Sequence, residues 1–512
     1  MAAHKWFELA GPVAGAPGVS GLEVEPEQWS AAALDIAAAG GRLVALWAEA
    51  AVGGGAMLRA AYAAEPGLLI LSLGLADHRA EYPALHEIYP AAGRMQRAVA
   101  DLSGPVARGM DRRPWLRHAA WPTGFLPLAS GAQPEAPMAA VVDDYQFVRV
   151  TGDGVHEIAV GPVHAGIIEP GHFRFSVVGE KLLRLEERLG YVHKGIERRF
   201  ADMPLTSAHA LAARVSGDSA VAFSWAYCQA VEGMARTALP PRAAWLRALA
   251  LELERLANHL GDLGALGNDA GFAFGLSQFS RLKESLLRLT EAALGQRYLM
   301  DFVVPGGVAV DPAPATLQKL AEFATALPAD VSRLRQVYDE HAGLRDRFSE
   351  AGRVTAELAL RLGLTGLAGR ASGQAFDLRC DLPCHPYDAL QPVKIGAREG
   401  DVAARVAVRF DEAAESCRLV ARIVARLPDG DCRAALPDVP DGALGVGFIE
   451  GWRGPVFMAV SAGPGGSIRR CHPQDPSWQN WPVLEHAVVD NIVPDFPLIN
   501  KSFNLSYSGH DL

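Results

Sequence analysis

The sequence predicts an α+β protein with a mainly α-helical bundle core, a small β-sheet at the start of that core, and a small α/β accessory domain before it. Apolar residues recur at helical spacing through most of residues 240–430. Short runs rich in apolar and aromatic residues stand before them, between residues 147 and 178. A stretch rich in Ala, Gly and Pro separates both from the first 128 residues.

The chain of 512 residues is long enough for two or three domains. We expect an accessory domain in residues 1–128, a linker in residues 129–138 and a larger domain in residues 139–512. In the accessory domain, the apolar run 68–73 follows a Pro-Gly turn and predicts a strand.

Three further runs, at residues 147–150, 158–160 and 172–178, predict the strands that open the larger domain. Five sets of apolar residues at helical spacing predict helices after them. These sets are Val178, Leu182, Leu185 and Leu189; Trp245, Leu249, Leu253, Leu256 and Leu260; Leu282, Leu286, Leu289 and Ala293; Leu317, Leu320, Ala324 and Leu327, ended by Pro328; and Phe410, Ala414, Cys417, Val420 and Val424.

Composition excludes several classes of protein. The net charge of −10 gives no basic field that would attract nucleic acid. Six cysteines are too sparse for a disulfide framework and fit a reducing compartment. The first residues have no basic patch followed by an apolar core, so we expect no signal peptide. The apolar run 67–75 is far shorter than the ~20 residues that cross a bilayer. Membrane association would therefore come through partner proteins.

A set of motifs along the chain occurs together in one protein family. The runs GPVH at 161–164, EPGHFRF at 169–175 and GYVHKGIE at 190–197 are joined by ELERLANHL at 252–260 and by PGGV, EGDV, DPSW and NWP at 305–308, 399–402, 475–478 and 480–482. From about residue 140 onward, the chain resembles the large subunit of energy-converting (group 4) [NiFe]-hydrogenases, which is related to the quinone-site large subunit of respiratory complex I. The tetrapeptides YPAL, DLSG and WPTG before residue 128 resemble the accessory subunit often fused to it.

The chain departs from that family at the metal. The hydrogenase pattern has cysteines where this chain has Ser216, Ser219, Ser506 and Gly509. A serine hydroxyl stays protonated at neutral pH and is a poor ligand for nickel. The resemblance therefore implies four vestigial ligand positions and no metal. Ile168 also stands where the complex I relatives carry a second hairpin histidine.

Four residues are catalytic candidates on this resemblance. The acid matched by Glu169 lies beside the active site and relays protons, as a partly dry carboxylate with a raised pKa can. His164 matches a histidine that approaches the quinone head group in complex I relatives. His193 lies in a segment that faces an iron–sulfur cluster of a neighbouring subunit. Arg453 matches an arginine that points at the metal centre; here it would bind an anion or pair with Asp218.

Four more residues are candidates for cofactor binding. His172 lies near the quinone hairpin, and Lys194 would place a positive charge near a partner's cluster, which raises the potential of that cluster. Arg214 and Asp218 would line the emptied metal pocket. The residues alone also fit plainer roles. Glu169 fits a solvated turn residue, His164 and His172 fit packing of the hairpin, the segment of His193 and Lys194 fits a solvated helix end, and the pocket fits a satisfied polar network.

Two other patterns leave alternatives open. Glu252, Arg255 and His259 share one helix face, which is typical of an intrahelical salt-bridge ladder or, if the helix is enclosed, of a buried proton relay. Cys380, Cys384 and a following histidine do not match the spacing of a common zinc or cluster motif.

Two functions fit these residues. The first is a hydrogenase-like large subunit of a membrane-associated oxidoreductase complex, with proton-coupled electron transfer at an interface with a small subunit that holds a [4Fe-4S] cluster, a quinone as one candidate acceptor, and no functional nickel–iron centre. The second is a non-catalytic coupling subunit of an ion-translocating membrane complex. Either would have antiporter-like membrane subunits as partners, no nucleic acid, and a cytoplasmic place on the inner face of the membrane. The ligand positions argue against turnover of hydrogen.

Overall fold

The computed structural model describes residues 3–14, 16, 18–51, 54–122, 124–129, 141, 145–164 and 168–512. Helices dominate the middle of the chain, and small sheets lie before and after them. This confirms the predicted α+β fold. Apart from Ala129, the predicted linker at 129–138 lies outside the described residues.

The N-terminal part is built on a five-stranded sheet with strand order β1-β2-β5-β4-β3. Strands β3, β4 and β5 pair antiparallel, whereas β2 joins β5 in parallel. The predicted strand 68–73 is confirmed within β5. The elements are α1 (His4–Leu9), β1 (Gly11–Pro12), β2 (Val19–Glu23), α2 (Pro26–Ala38), β3 (Arg42–Ala50), β4 (Ala56–Ala64), β5 (Gly67–Leu75), β6 (Glu81–Tyr82), α3 (Ala92–Leu102) and β7 (Val106–Ala107).

This sheet is buried on both faces, which explains the nearly continuous apolar run in β5. One face, with Leu69 and Leu71, packs with helices α2 and α3. The other face, with Trp47 and Ile70, packs on Phe457 in the C-terminal sheet. Hydrogen bonds cross the same junction, because Ser461 Oγ donates to the Glu49 carboxylate at 2.7 Å. The separate accessory domain stays a prediction.

The larger part opens with an antiparallel sheet of β8 (Val155–Val160), β9 (His172–Val178) and β10 (Lys181–Arg188). Two of the predicted strands are confirmed in β8 and β9. The predicted helix over residues 178–189 is wrong, because these residues form β10 and the turn before it. A β-bulge between Leu182 and Arg184 shifts the register, so Leu182 and Leu185 are both buried although they are three residues apart. The bulge thus imitates helical spacing.

The predicted strand at 147–150 is also wrong. No ladder pairs this segment among the described residues. The backbone N–H of Val148 instead donates to the Glu186 carboxylate at 2.8 Å. A side chain of β10 therefore takes the place of a strand partner.

Helices fill the middle of the chain, and the long α7 and α15 lie at its centre. The predicted helices over 245–260, 282–293 and 410–424 are confirmed in α7, α8 and α15. The elements are α4 (Ile196–Phe200), α5 (His209–Ala212), α6 (Ala220–Met234), α7 (Pro241–Asp269), α8 (Ala273–Leu294), β11 (Val303–Val304), β12 (Gly307–Val308), α9 (Pro314–Glu340), α10 (Ala342–Phe348), α11 (Ala356–Leu362), α12 (Gly366–Ala371), α13 (Leu378–Asp381), α14 (Tyr387–Leu390) and α15 (Val402–Ala425).

Helix α9 does not end at Pro328, as the sequence predicted, but runs through it to Glu340. Proline removes one helical hydrogen bond. The apolar stripe continues beyond it, with Val331, Leu334 and Tyr338 all buried. Packing of this stripe therefore outweighs the lost bond.

The C-terminal part consists of a three-stranded sheet followed by short helices. Strands β13, β14 and β15 form an antiparallel sheet. The elements are β13 (Leu444–Glu450), β14 (Pro455–Ala462), β15 (Ile468–Gln474), α16 (Ser477–Ala487), α17 (Phe496–Phe503) and α18 (Ser508–Asp511), with 3-10 turns at Pro464–Gly466 and Val493–Asp495. None of the helices in the described part of the chain combines the length and the apolar character that a membrane span requires.

Strand β13 passes α6 so closely that Gly447 has no room for a side chain. A Cβ atom there would lie 1.8 Å from the backbone oxygen of Ala226. Gly447→Ala should lower the free energy of unfolding by at least about 1–3 kcal/mol, since the helix and the sheet must separate. Urea denaturation measures this. Gly74→Ala in β5, where a Cβ meets nothing within 4 Å, is the matched control. Equal stability of the two variants would contradict the tight packing.

Candidate functional site

Two stretches that are far apart in sequence meet at one place. They are the loop before α6 and the loop that joins α17 to α18. Ser216 Oγ lies 2.8 Å from Ser506 Oγ, and the backbone N–H of Gly509 donates to Ser506 Oγ at 2.9 Å. Ser219 joins them through Arg453, which donates to Ser219 Oγ at 3.3 Å. The fold thus brings together the four positions at which the family pattern has cysteines.

Arg453, in the turn between β13 and β14, is 4% exposed and ties this cluster together. It pairs with the Asp218 carboxylate at 2.5 Å and donates to the backbone oxygen of Asn504 at 2.5 Å. Burial raises the pKa of the Asp218 carboxyl. The attraction and hydrogen bond of Arg453, with a hydrogen bond from Ser216, outweigh burial and hold that pKa below its usual value. The structure therefore places Arg453 in an ion pair with Asp218.

The atoms at the four positions do not fit a nickel–iron centre. Soft metals of this kind are held by thiolates, whereas Ser216, Ser219 and Ser506 offer neutral hydroxyls and Gly509 offers no side chain. The hydroxyls of Ser216 and Ser506 contact each other directly. Within the described residues, no group of three or more His, Cys, Asp or Glu side chains is arranged to hold a metal ion, which also applies to the cysteines at 380 and 384.

A second buried acid, Asp475, stands beside this cluster, and the sequence-based assignment missed it. One of its oxygens accepts from the backbone N–H of Ser477 at 2.8 Å, and the other, Oδ2, has no partner within the described residues. Burial raises the pKa of Asp475, although Arg453 opposes that effect. A Cβ atom at Gly509 would lie 2.6 Å from Asp475 Oδ2. The motif DPSW was the available signal, but its acid could not be placed from sequence.

Glu169 lies at the rim of the same cluster. Its carboxylate accepts from the backbone N–H of Ser508 at 3.2 Å. Partial burial raises the pKa of Glu169, the hydrogen bond from Ser508 lowers it, and the negative charges of Asp218 and Asp511 raise it again. The net pKa lies above the usual value, so this carboxyl can take up protons more readily than a solvated glutamate. The structure therefore brings Glu169 next to the serine cluster, as a relay would require.

The two hairpin histidines lie before and at the start of β9 and contact the residues around it. His164 Nε2 hydrogen-bonds the backbone oxygen of Gly171 at 2.8 Å, and its ring lies 5.6 Å from that of Phe173. His172 is buried against Phe147, and its Nε2 has no partner in the part of the chain that the structure describes. Burial and the neighbouring Arg174 lower the pKa of His172, so it is neutral at physiological pH.

The segment around His193 closes the C-terminal side of the cluster. His193 Nδ1 contacts the backbone oxygen of Asp511 at 2.6 Å, and Lys194 Nζ donates to the backbone oxygen of Val215 at 3.1 Å. Arg214 turns away from the cluster and pairs with Asp301 at 2.7 Å on an exposed surface. The structure therefore brings His193 and Lys194 to the rim of the site and leaves Arg214 outside it.

A buried histidine that the sequence-based assignment missed lies beneath this rim. His510 Nδ1 lies 3.0 Å from Asp511 Oδ1, and its Nε2 accepts from the indole N–H of Trp115 at 3.3 Å. The Trp478 ring stacks on His510 at 4.2 Å. Because Nε2 accepts, the ring proton sits on Nδ1 and is donated to Asp511. Trp115 belongs to the N-terminal part, so only the three-dimensional fold reveals this contact.

Helix α7 is enclosed, and its polar stripe is more than an intrahelical ladder. Arg255 and Glu252 are 3.3 Å apart within the helix. Glu252 is also bound by Arg379 at 3.2 Å, and His259 pairs with Glu412 of α15 at 2.9 Å. These contacts join α7 to its neighbours through buried polar and charged side chains. The ladder and the tertiary network therefore coexist.

A cavity of about 320 Å³ lies between α7 and α8 and reaches the loop before α6. Five apolar side chains form part of its wall: Leu253, Ala257, Leu287, Leu299 and Met300. The remaining lining comprises Gly217, Asp218, Glu254, Asn258, Lys283, Thr290, Arg297 and Tyr298. Glu169 is not among these residues.

Glu254 is the most perturbed acid of this cavity. It accepts hydrogen bonds from the backbone N–H groups of Val221 at 2.7 Å and Ala222 at 3.3 Å, in the first turn of α6. Burial raises its pKa to about 8, although the two N–H groups oppose the shift. Glu254 belongs to the motif at 252–260, but the motif does not reveal this property, because the two N–H groups come from another helix.

Removal of Arg453 should expose how much the cluster depends on it. Arg453→Gln leaves Asp218 without its counter-charge and should lower the free energy of unfolding by about 2–4 kcal/mol, because a partly buried charge loses its partner. Asp218→Asn in the same chain should restore part of that loss. A double-mutant cycle in urea measures the coupling. Additive effects of the two substitutions would show that the pair is not coupled.

Glu254 should make stability depend on pH. Its native pKa of about 8 lies above the usual 4.5, so the native state holds the proton more tightly. The stabilisation is complete below the unfolded-state pKa and is lost as pH rises towards the native pKa. Between about pH 5 and pH 8, the free energy of unfolding of the native protein should fall by roughly 3–4 kcal/mol relative to that of Glu254→Gln. Urea titrations at several pH values check this, with the exposed Glu180→Gln as the control. A constant difference would refute the raised pKa.

Comparison with known proteins identifies relatives across most of the chain. Residues 269–440 match the family described as the 49 Kd subunit of respiratory-chain NADH dehydrogenase. Formate hydrogenlyase subunit 5 of Escherichia coli (strain K12) is 30% identical over 441 residues, which cover 85% of this chain and 77% of that protein. The C/D component of the NADH-quinone oxidoreductase of Bacteroides thetaiotaomicron is 28% identical over 400 residues, which cover 73% of this chain and 75% of that protein.

A solved structure shares the fold. One chain of the membrane-bound sulfane sulfur reductase, an archaeal respiratory membrane complex, aligns with a TM-score of 0.67 at 24% identity. The alignment covers 71% of this chain and all of that one. The chain therefore belongs to the family of [NiFe]-hydrogenase and complex I large subunits that contains formate hydrogenlyase subunit 5 and the 49 Kd subunit of respiratory-chain NADH dehydrogenase.

Proposed function

We propose that this chain is the large subunit of a membrane-associated oxidoreductase complex and that it moves protons coupled to electron transfer without a nickel–iron centre. The observation that carries the proposal is the oxygen-lined cluster at positions 216, 219 and 506. Relatives named for formate hydrogenlyase and NADH-quinone oxidoreductase support the oxidoreductase class. An oxygen cluster beside acids with raised pKa values supports proton transfer in place of metal chemistry.

The cluster is suited to protons because each hydroxyl can donate and accept. Ser216 Oγ donates to Asp218 at 2.7 Å and lies 2.8 Å from Ser506 Oγ. Ser506 Oγ lies 3.4 Å from Ser508 Oγ, and Glu169 binds the backbone of Ser508. The hydroxyls of Ser216, Ser506 and Ser508 therefore form a row that begins at Asp218. Ser508 ends the row and binds Glu169, which is the proposed acid at that end.

The partners follow from the relatives and from the rim of the site. We propose a small subunit with a [4Fe-4S] cluster beside His193 and Lys194, and antiporter-like membrane subunits that hold the chain at the inner face of the membrane. A quinone is the proposed acceptor, with His164 and His172 nearest to it in the family pattern. Residues 1–128 are the proposed accessory domain.

The alternative is a non-catalytic coupling subunit. The direct contact between Ser216 and Ser506 favours it, because this contact fills the space between the positions at which a metal would sit. A subunit of this kind would keep the fold for its partner surfaces alone. If this alternative holds, a chain with Glu169 neutralised would bind its partners as well as the native chain does. The turnover of its complex would be unchanged.

Metal content tests the proposed loss of nickel. The complex purified from a nickel-supplied host should contain far less than one nickel per chain, because thiolates are absent from all four positions. Inductively coupled plasma mass spectrometry measures this, with a four-cysteine hydrogenase of the same family as the positive control. One nickel per chain would refute the proposal.

Turnover of the whole complex separates the two functions. Glu169→Gln should lower the rate of electron transfer by roughly a hundredfold, as expected when a proton-transferring acid is lost. The exposed Glu180→Gln is the matched control and should leave the rate unchanged. Reduction of the partner's cluster, followed by electron paramagnetic resonance, should persist in both variants. An unchanged rate in Glu169→Gln would support the coupling role instead.

A further inference from the structure

The cavity between α7 and α8 has no part in the function proposed so far. We infer that it is a water-filled access chamber for protons, and that Glu254 receives protons from it and passes them through water to Asp218 and the serine hydroxyls. This inference rests on the proposed function, which requires protons at the serine cluster. Its test needs neither the partners nor electron transfer.

The cavity is large enough to hold a file of water molecules. A water molecule occupies about 30 Å³ of liquid volume, so about 320 Å³ holds on the order of ten. Tyr298, which is 50% exposed, lines the outer part of the cavity. Glu254, which is 7% exposed, lines the inner part together with Asp218. Water can therefore pass between solvent and Glu254 without a change in the fold.

The wall of the cavity contains polar side chains as well as apolar ones. Thr290 is 2% exposed, and its hydroxyl has no hydrogen-bond partner within the described residues. Its oxygen is almost closed off from the cavity, so water in the cavity meets the other polar side chains of the wall, among them Asp218, Glu254 and Asn258. Lys283 also lines the cavity and forms no ion pair in the described part of the chain. A wall with this many polar side chains suits water better than an apolar ligand.

Glu254 is placed to hold a proton reversibly. The N–H groups of Val221 and Ala222 fix its carboxyl at the inner end, so the group cannot swing away. With a pKa of about 8, Glu254 holds its proton at neutral pH, and a modest change in its surroundings is enough to release it.

The charged groups that face Glu254 are mixed in sign. Asp218 disfavours ionisation of Glu254, whereas Arg255 favours it. Lys283 and Arg297 stand on the opposite wall, and Arg297 is already paired with Glu284 at 2.6 Å. Arg255 uses two of its donors on the backbone oxygens of residues 450 and 451. Among the described residues, no full counter-charge therefore fixes Glu254 in the ionised form.

The onward route is a chain of O–H exchanges. The Glu254 carboxyl gives its proton to a water, which gives one to Asp218. Once Asp218 is protonated, the Ser216 hydroxyl rotates and the bond between them reverses: Asp218 gives its proton to the Ser216 oxygen, 2.7 Å away, and the Ser216 hydroxyl gives its own proton to Ser506, 2.8 Å away. One proton enters from the chamber and one leaves beyond Ser506. Only O–H bonds form and break, and no electron changes place.

Infrared spectroscopy of the full chain tests the chamber. At neutral pH, the carbonyl stretch of a protonated carboxyl should be present in the native protein and lost in Glu254→Gln. The difference also separates Glu254 from other buried acids with raised pKa values, such as Asp475 and Glu187. On transfer to D2O, this band should shift within the mixing time, because water reaches the acid directly.

A filled chamber should slow that exchange. Leu287→Trp places an indole in the cavity and should slow the shift by about tenfold or more, as for a group that exchanges only through opening of the fold. Ala257→Leu fills less of the cavity and tests the same point if Leu287→Trp does not fold. Leu289→Trp on the same helix, outside the lining, should exchange like the native protein. Either the absence of a band that depends on Glu254 or equally fast exchange in both filled variants would overturn the inference. Neither result bears on nickel content or on turnover, which test the proposed function separately.

Discussion

The ion pair between Arg453 and Asp218 is the interaction on which the centre of this molecule depends. Burial of the Arg453 guanidinium removes its hydration, at a cost of several kcal/mol, and the Asp218 carboxylate offsets that cost as a counter-charge. Its donors reach the loop before α6 and the C-terminal segment at Asn504 at once. Stretches of the chain that lie far apart in sequence are therefore held in one arrangement by a single side chain. The serine contacts and the position of Glu169 follow from that arrangement.

The same rule of paired burial extends outward along α7 and α15. Asn504 donates to Asp262, which pairs with Arg409, and one turn further Glu412 binds both His259 and Arg370. These groups stabilise the fold less by attraction than by specificity, because any slip of one helix along another would leave a charge alone. A rigid frame of this kind keeps short hydroxyl-to-hydroxyl distances constant, which proton transfer needs and metal binding would also have needed.

The sequence predicted the fold where one periodic pattern had one explanation. The long apolar stripes of α7, α8 and α15 are unambiguous, and the family motifs placed Glu169 and Arg453 near the serine positions. Prediction failed where local pattern and tertiary context disagree. The bulge at Leu182 and Arg184 lends a strand the spacing of a helix, and the buried stripe beyond Pro328 carries a helix through a residue that normally ends one. Asp475 and Glu254 stand within family motifs, but neither the motifs nor the residues around His510 reveal how these side chains are buried, which depends on the packing of distant elements.

Gly509 determines how closely the C-terminal segment approaches the buried acid Asp475. Its missing side chain leaves a space that the carboxylate of Asp475 and the hydroxyl of Ser506 now occupy, so that any larger residue would meet oxygen within 3 Å. A side chain at this position would press on the acid, which accepts from the turn that begins α16, and on the hydroxyl that the N–H of Gly509 binds. The C-terminal segment can therefore lie this close to Asp475 and Ser506 only because residue 509 has no side chain. A methyl group at this one position would push the end of the chain away from both oxygens and so loosen the contact that joins the two loops.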